Sequence, residues 1–330
     1  MAYTPPMTAA GSTNTTNLAL AQAAYDRLAR FALRPELYFD NVADVKPTNQ
    51  SMPGASVTFP IISDLAIASS PLNESVDVTP QAISQSVVTV TLAEYGNSVL
   101  TTAALRGEAY VEIDPVVDNV IGYNAGVSID EVARDVLKAG TNVAYANSKT
   151  SRVSVAATDV LKAADIRAAK ARLRSQNVPN FNGFYTAYIH PNVAYDFTSE
   201  TGAAAWRDPH TYSQPGEIWA GELGAFEGFR FIETPRSPVF AGGGSSTGTV
   251  GANVYGTLCV GRQSLAKAWS MIDGNTEQPH VVPGPITDYL RRFVPWGWYW
   301  LGGYGIYRQA SVQRIESGAS LTYADPDIDK

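Results

Sequence analysis

One long stretch of this chain carries no positive charge. Residues 47–105 contain neither Lys nor Arg. Thr, Ser, Val and Ile dominate the stretch, and prolines stand at 47, 53, 60, 71 and 80. Such a composition works against a long helix, because proline removes a backbone donor and β-branched side chains lose rotamer freedom there. Val57-Thr-Phe59 and Val87-Val-Thr-Val-Thr-Leu92 have the character of strands. Between them, residues 63–85 read as polar, poor in large side chains and unable to bury a core of their own. The pattern predicts a long β-hairpin arm that reaches away from the body and is ordered by a partner. An ordinary surface hairpin is the alternative.

Helix signals flank this arm. The first 16 residues, rich in Thr, Pro, Gly and Ala, read as a mobile arm. Asn17 can cap a helix that Pro35 ends at Arg34. Its apolar side is Leu18, Ala21, Tyr25, Leu28 and Ala32, while Arg27, Arg30 and Arg34 share another side. Those arginines mark either a solvated face or a partner contact. Asp114-Pro115 starts a second helix that should run to Ala139 and close at Gly140. At 1.5 Å per residue that is a rod of roughly 37 Å. Val116, Val120, Val127, Ala133 and Leu137 are its expected apolar positions, and Gly122 and Gly126 each weaken it by about 1 kcal/mol.

The rest alternates less regularly. Residues 141–156 read as a hairpin. A third helix spans 163–176, with Ile166, Ala169 and Leu173 inward and Arg167, Lys170 and Arg174 outward. Strand-like runs follow at 184–189, 229–233 and 254–260, and aromatic-rich strands fill 286–316. Helices and strands are segregated, which indicates an α+β fold.

The usual chemistry is missing. The three histidines, His190, His210 and His280, sit in no metal-binding pattern. There is no nucleophile elbow, no phosphate-binding loop and no dinucleotide fingerprint, Gly302-Gly-Tyr-Gly305 included. The single cysteine, Cys259, lies in an apolar run and reads as core. No catalytic, metal or cofactor residue is nominated. No apolar stretch is long enough to span a membrane, and a net charge of −7 disfavours tight nucleic-acid binding. Only 17% of residues are charged, while 17 Tyr, 11 Phe and 6 Trp suggest a surface that meets other protein.

Several segments together resemble a family. They are Ala24-Tyr-Asp-Arg-Leu-Ala-Arg-Phe-Ala-Leu-Arg-Pro-Glu-Leu-Tyr-Phe39, Thr48-Asn-Gln-Ser-Met-Pro-Gly-Ala-Ser-Val57, Ile121-Gly-Tyr-Asn-Ala-Gly-Val-Ser-Ile-Asp130, Tyr188-Ile-His-Pro191, Glu227-Gly-Phe-Arg-Phe-Ile-Glu-Thr-Pro-Arg236, Asp288-Tyr-Leu-Arg-Arg-Phe293 and Gly297-Trp-Tyr-Trp300. In combination they are similar to the major capsid proteins of tailed bacteriophages, in the subgroup common in phages of actinobacteria. The resemblance implies the Hong Kong 97-like capsid fold. Residues 1–44 would be an N-terminal arm, 45–106 the extended E-loop hairpin with its flanks, and 107–157 a peripheral domain with a spine helix. Residues 158–284 would be an axial domain, and 285–330 return strands and tail.

The implied function is an icosahedral shell of hexamers and pentamers around double-stranded DNA, made in the host bacterial cytoplasm and located in the virion. The implied partners are further copies of the chain, a portal, a separate scaffolding protein and DNA in weak nonspecific contact. An encapsulin-like cargo compartment of the same fold is the alternative. Because the arm lacks cations, Asp64, Glu74 and Asp77 are expected to meet basic side chains on a neighbour, with Arg167, Lys170 and Arg174 as one candidate set. Arg27, Arg30 and Arg34 are expected on the inner surface or against a neighbour. Some relatives crosslink through an E-loop lysine. None exists in 47–105, so noncovalent clasping is expected.

Overall fold

Two sheets and one long helix packed against both carry the hydrophobic interior of this α+β protein. The computed structural model describes residues 12–13, 38–45, 56–69, 71–72, 74–75, 77–109, 113–200, 222–245, 251–270, 277–284, 288–290 and 292–321. In chain order the elements are β1 (Ser12–Thr13), β2 (Ala43–Val45), β3 (Ser56–Ile62), β4 (Gln85–Thr91), β5 (Ala93–Thr102), α1 (Ala103–Glu108), α2 (Ile113–Lys138), β6 (Val143–Tyr145), α3 (Ala163–Ser175) and β7 (Tyr185–Ile189). They continue with α4 (Pro191–Ser199), β8 (Glu222–Phe226), β9 (Phe229–Glu233), β10 (Val239–Phe240), β11 (Val254–Val260), β12 (Leu265–Trp269), β13 (His280–Pro283), β14 (Phe293–Ile306) and β15 (Val312–Ser317). The helix expected at 17–34 lies outside the described residues, as do Arg27, Arg30 and Arg34.

The first sheet is built on β14, which has 14 residues. The strand order is β1-β5-β14-β12-β2. On one edge β5 pairs antiparallel with β14, from Thr102 opposite Phe293 to Ala93 opposite Gly302. The other edge is shared: β13 pairs with the first half of β14 and β12 with the second. The second sheet has the order β6-β15-β11-β7-β9-β8, with β10 beside β11. Every residue of β11, β12 and β15 is buried, as expected for strands covered on both faces. Alternation divides them cleanly. Tyr255 and Cys259 of β11 face α3 and α4, with Ile166, Leu173, Val193 and Phe197. Leu258 and Val260 face the other way, into the core around α2.

Pairing runs across the expected domain boundaries. Strands β12 and β13, from the segment expected to be axial, join β14. Strands β6 and β15, from segments expected to be peripheral, join β11.

Helix α2 begins at Ile113, so Asp114 lies in its first turn rather than at the cap. Pro115 is tolerated there because first-turn N–H groups have no partner inside the helix. Gly140 closes the helix as expected, its N–H bonded to the Leu137 carbonyl at 3.1 Å. The buried row is Ile113, Val117, Ile121, Ala125, Ile129, Ala133 and Leu137, while Val120 is 42% exposed. The expected Val116/Val120/Val127 face is therefore corrected. A strict four-residue repeat drifts about 40° per step on a 3.6-residue helix. The stripe thus winds around α2, and a single straight face misses it. The core it enters holds Trp298, Trp300 and Tyr304 of the first sheet and Tyr188, Leu258 and Val312 of the second.

The hairpin expected at 141–156 is also corrected. Asn147 and Ser148 adopt positive φ within one 3-10 turn, 146–148, and a second follows at 152–154. The one strand there, β6, pairs parallel with β15 instead of folding back on itself.

Candidate assembly surface

The arm is a two-stranded hairpin. Strands β3 and β4 pair antiparallel from Ser56 opposite Thr91 to Ile62 opposite Gln85. At its root Val57, Phe59 and Val90 pack on Ala266 and Ala268 of β12. The ring of Tyr307 meets Phe59 edge-on at 6.1 Å. This seat needs small residues beneath it. A Cβ on Gly303 would overlap the Thr91 carbonyl oxygen, and one on Gly305 would lie 2.9 Å from Val90 Cγ2. The glycines that match no nucleotide-binding motif are the floor of the hairpin. Only Leu92 separates β4 from β5, so the root is tied directly to the first sheet.

Beyond the root the described residues of the arm are not buried against their own body. Every described residue from Ile62 to Val87 is exposed. Ile67 is 92% exposed and Leu72 77%, and Ile62, Leu65, Val78, Ile83 and Val87 are each more than half exposed. This corrects the expectation of a polar tip. An apolar surface of this extent marks a site of protein contact. Asp64, Glu74 and Asp77 are exposed among these side chains.

The expected basic set is elsewhere and partly engaged. Arg167 and Lys170 of α3 both reach Glu227, at the β8–β9 turn, at 3.0 and 3.5 Å. The Arg167 hydrogen bond, assisted by Lys170 and opposed by desolvation, holds the Glu227 carboxyl below its usual range. Arg174 is exposed on the same helix. Among the described residues no ion pair joins the arm's acids to these cations within one copy.

The main charged clusters are buried, and sequence reasoning did not single them out. The Lys267 side chain is fully buried, and its Nζ donates to Asp40 Oδ2 at 2.9 Å. The Tyr304 hydroxyl donates to Asp40 Oδ1 at 2.6 Å. Nearby, Asp130 Oδ1 accepts the Phe39 N–H at 2.8 Å, and its carboxylate pairs with Arg236 at 3.5 Å. Burial pushes the Asp130 carboxyl up, against the Phe39 amide and Arg236. Together these bonds tie Phe39 and Asp40 to α2 and to the first sheet. In a second cluster, buried Glu316 accepts two bonds from Arg152, at 2.8 and 2.7 Å, and one from Arg314 at 2.8 Å. The Arg152 guanidinium also stacks 3.5 Å from the Phe240 ring centre. A usable signal existed for the first cluster. Lys267 is a lone charge inside the apolar strand Leu265-Ala-Lys-Ala-Trp269, and buried charges are paired.

These groups are engaged chiefly with one another. Among the described residues no group of three His, Cys, Asp or Glu is placed to hold a metal ion. Burial pushes the Cys259 thiol up to about 12. His190 caps α4, its Nδ1 accepting the Asn192 N–H at 3.2 Å.

The sequence profile of the family described as phage capsid protein matches residues 14–320. This chain belongs to the phage capsid protein family. Among solved structures it is similar to the capsid of Ralstonia phage GP4, with a TM-score of 0.75 and 16% identity over 92% of this chain and 97% of that one. It is similar to the capsid asymmetric unit of cyanophage Pam1, with a TM-score of 0.67 and 15% identity over 92% and 99% of the two chains. For a structure from Mycobacterium phage Che8 the values are 0.57, 15%, 88% and 95%. At these identities the likeness is one of fold, and the fold is the expected Hong Kong 97-like one. No curated protein sequence is a significant match. The family is structural, and its members build phage shells from copies of themselves. The phage capsid protein reading is favoured over the encapsulin alternative. Among the described residues no helix is long and apolar enough to cross a membrane.

Proposed function

We propose that this phage capsid protein builds the hexamers and pentamers of an icosahedral shell around double-stranded DNA, each copy clasping a neighbour noncovalently with its arm. The carrying observation is the arm itself: seven large apolar side chains, each more than half exposed, on an element whose described residues are buried against its own body at the root alone. A chain of this kind gains by burying that surface against another copy, and many modest contacts repeated by symmetry stabilise a closed shell.

In this reading the first sheet with α2 is the peripheral unit, and the second sheet with α3 and α4 is the axial unit. The aliphatic side chains of the arm hold. Asp64, Glu74 and Asp77 steer, meeting cations of the neighbour such as Arg174, because exposed ion pairs contribute only about 0–1 kcal/mol each. Arg27, Arg30 and Arg34 are assigned to the inner surface or a neighbour. A portal, a scaffolding protein and weakly held DNA are the further partners, and synthesis is in the host cytoplasm. The protein has no catalytic role in this scheme. Electron microscopy of the purified protein tests it. Icosahedral shells, or free hexamers and pentamers, are expected. Dispersed monomers under assembly conditions, or shells filled with an enzyme in place of DNA, would overturn it.

A further inference from the structure

Acids are unevenly spread along this chain. It carries 31 Asp and Glu, yet residues 136–158, 166–195, 234–272 and 289–315 contain none. The fold brings these four stretches together around the end of α3. The Arg172 guanidinium donates to Asn142 Oδ1 at 2.7 Å, and the Asn142 amide donates to the Gln309 carbonyl at 2.7 Å. Arg308 donates to the Gln176 carbonyl and the Arg262 N–H to the Pro179 carbonyl, each at 2.9 Å. Arg172, Arg262 and Arg308 thus surround one corner of the second sheet. Among the described residues none of the three guanidinium groups pairs with a carboxylate.

We infer that this corner binds the sugar–phosphate backbone of double-stranded DNA. The inference rests on the reading that the chain encloses DNA. It names the residues that touch that DNA, and it turns the end of α3 towards the lumen. The first support is the company the arginines keep. Ser175, Gln176, Asn177, Gln263 and Gln309 are exposed beside them. Short amides and hydroxyls are the uncharged groups that bond phosphate and sugar oxygens, and a planar guanidinium takes a phosphate through two parallel bonds. A contact with protein would instead be centred on large apolar side chains, and residues 174–177, 263 and 309 offer none.

The second support is separation from the other cations of α3. Arg172 lies about 160° around the helix from Lys170 and from Arg174, at 100° per residue. Arg167 and Lys170, on that other flank, are already held by Glu227. The corner is therefore a surface of its own, free of the acid that neutralises the far side. The third support is strength. Three phosphate contacts on a chain of net charge −7 give weak, salt-sensitive binding. Contacts confined to the backbone also carry no sequence information, which suits a surface that meets whatever DNA the shell encloses.

Two measurements test the contact. In DNA-filled particles p-benzoylphenylalanine replaces Ser175, an exposed position in the last turn of α3. After irradiation and nuclease digestion, the peptide that carries position 175 is expected to gain the mass of one or more nucleotides. An adduct to another copy of the chain would make the corner a subunit contact and overturn the inference. Filled particles with neither adduct would overturn it too. If no filled particles form, the enclosure reading fails by microscopy, and the second measurement stands without it. Dissociated subunits are titrated into a fluorescent duplex of about 20 base pairs at several salt concentrations between about 50 and 200 mM NaCl. For three phosphate contacts, log K should fall against log[salt] with a slope of about −2.7. Arg172→Gln with Arg262→Gln, both at exposed positions, should make the slope shallower by about 1.8, and Arg172→Lys with Arg262→Lys should restore it, since the contact is one of charge. A slope unchanged by the Gln pair, or no binding by the native chain at the lowest salt, would overturn the inference.

Discussion

Glu316 is fully buried between Arg152 and Arg314, and that burial is tolerable only while the charges balance. Arg314 is further held by the carbonyls of Lys138 and Gly140 at the end of α2. Glu316→Gln leaves two guanidinium groups around a neutral amide. It should lower the unfolding free energy of dissociated subunits by about 3–5 kcal/mol, as breaking a buried pair from one side does. Denaturant unfolding measures it, and a loss below 1 kcal/mol would show the cluster to be well hydrated. Glu227 gives a pH signature. Its folded pKa is depressed by Arg167, with Lys170 assisting, so its contribution is present above the usual carboxylate range and is lost as pH falls through the folded value. The stability gap between the native chain and Glu227→Gln should therefore close on acidification; a gap that widened would contradict the pairing. Cys259, with its thiol near 12, should stay unmodified by iodoacetamide at pH 8 in the folded protein and react fully in urea, as intact mass would show. Charge counting alone could not find these clusters. Arg152 and Glu316 stand 164 residues apart in sequence, and the parallel pairing of β6 with β15, with the bridge from Val160 to Gly318, brings their segments together.

At the scale of elements, what could be read was what local chemistry decides. Strands β3, β4, β7, β9 and β11, helix α3 with Ile166, Ala169 and Leu173 inward, and the Gly140 stop all follow from β-branching, helical spacing or a terminating glycine. What could not be read depends on distant partners. The phase of α2 is set by two sheets at once, so Val116, Val120 and Val127 mislead while Val117 and Ala125 count. The arm's tip looked polar because its large side chains are scattered among Ser, Asn and Pro; their exposure emerges only with the backbone in place. The glycines of β14 make an element-scale prediction. Gly303→Val forces the side chain into the Thr91 carbonyl, so the hairpin must lift from its seat on Ala266 and Ala268. The subunit should still fold, because both sheets remain paired. Amide exchange in β3 and β4 should accelerate, and regular particles should give way to aberrant or absent shells by microscopy. Unchanged exchange together with normal particles would mean that the seat does not orient the arm.

At the scale of the whole molecule, the candidate surface and the missing lysine lead to one expectation about how a shell of this protein is bonded. An arm that held by Asp64, Glu74 and Asp77 would be stripped by salt, since at 1 M the Debye length falls to about 3 Å. An arm that holds by Leu65, Ile67 and Leu72 would not, because burying each such side chain fully contributes about 1.5–3 kcal/mol whatever the ionic strength. Repetition over every copy multiplies the difference. Particles should therefore survive 1 M NaCl, followed by light scattering. The triple variant Leu65→Ser, Ile67→Ser, Leu72→Ser should come apart at markedly lower urea. Charge reversal of the three acids should slow assembly and leave finished particles nearly as resistant. Because 47–105 has no lysine, boiled and reduced particles should run as a single band near 35.3 kDa. A covalent ladder would point to a crosslink formed outside the arm. Salt-induced dissociation with the monomer band intact would instead return the clasp to its acids, and the two results separate covalent, ionic and apolar bonding in one preparation.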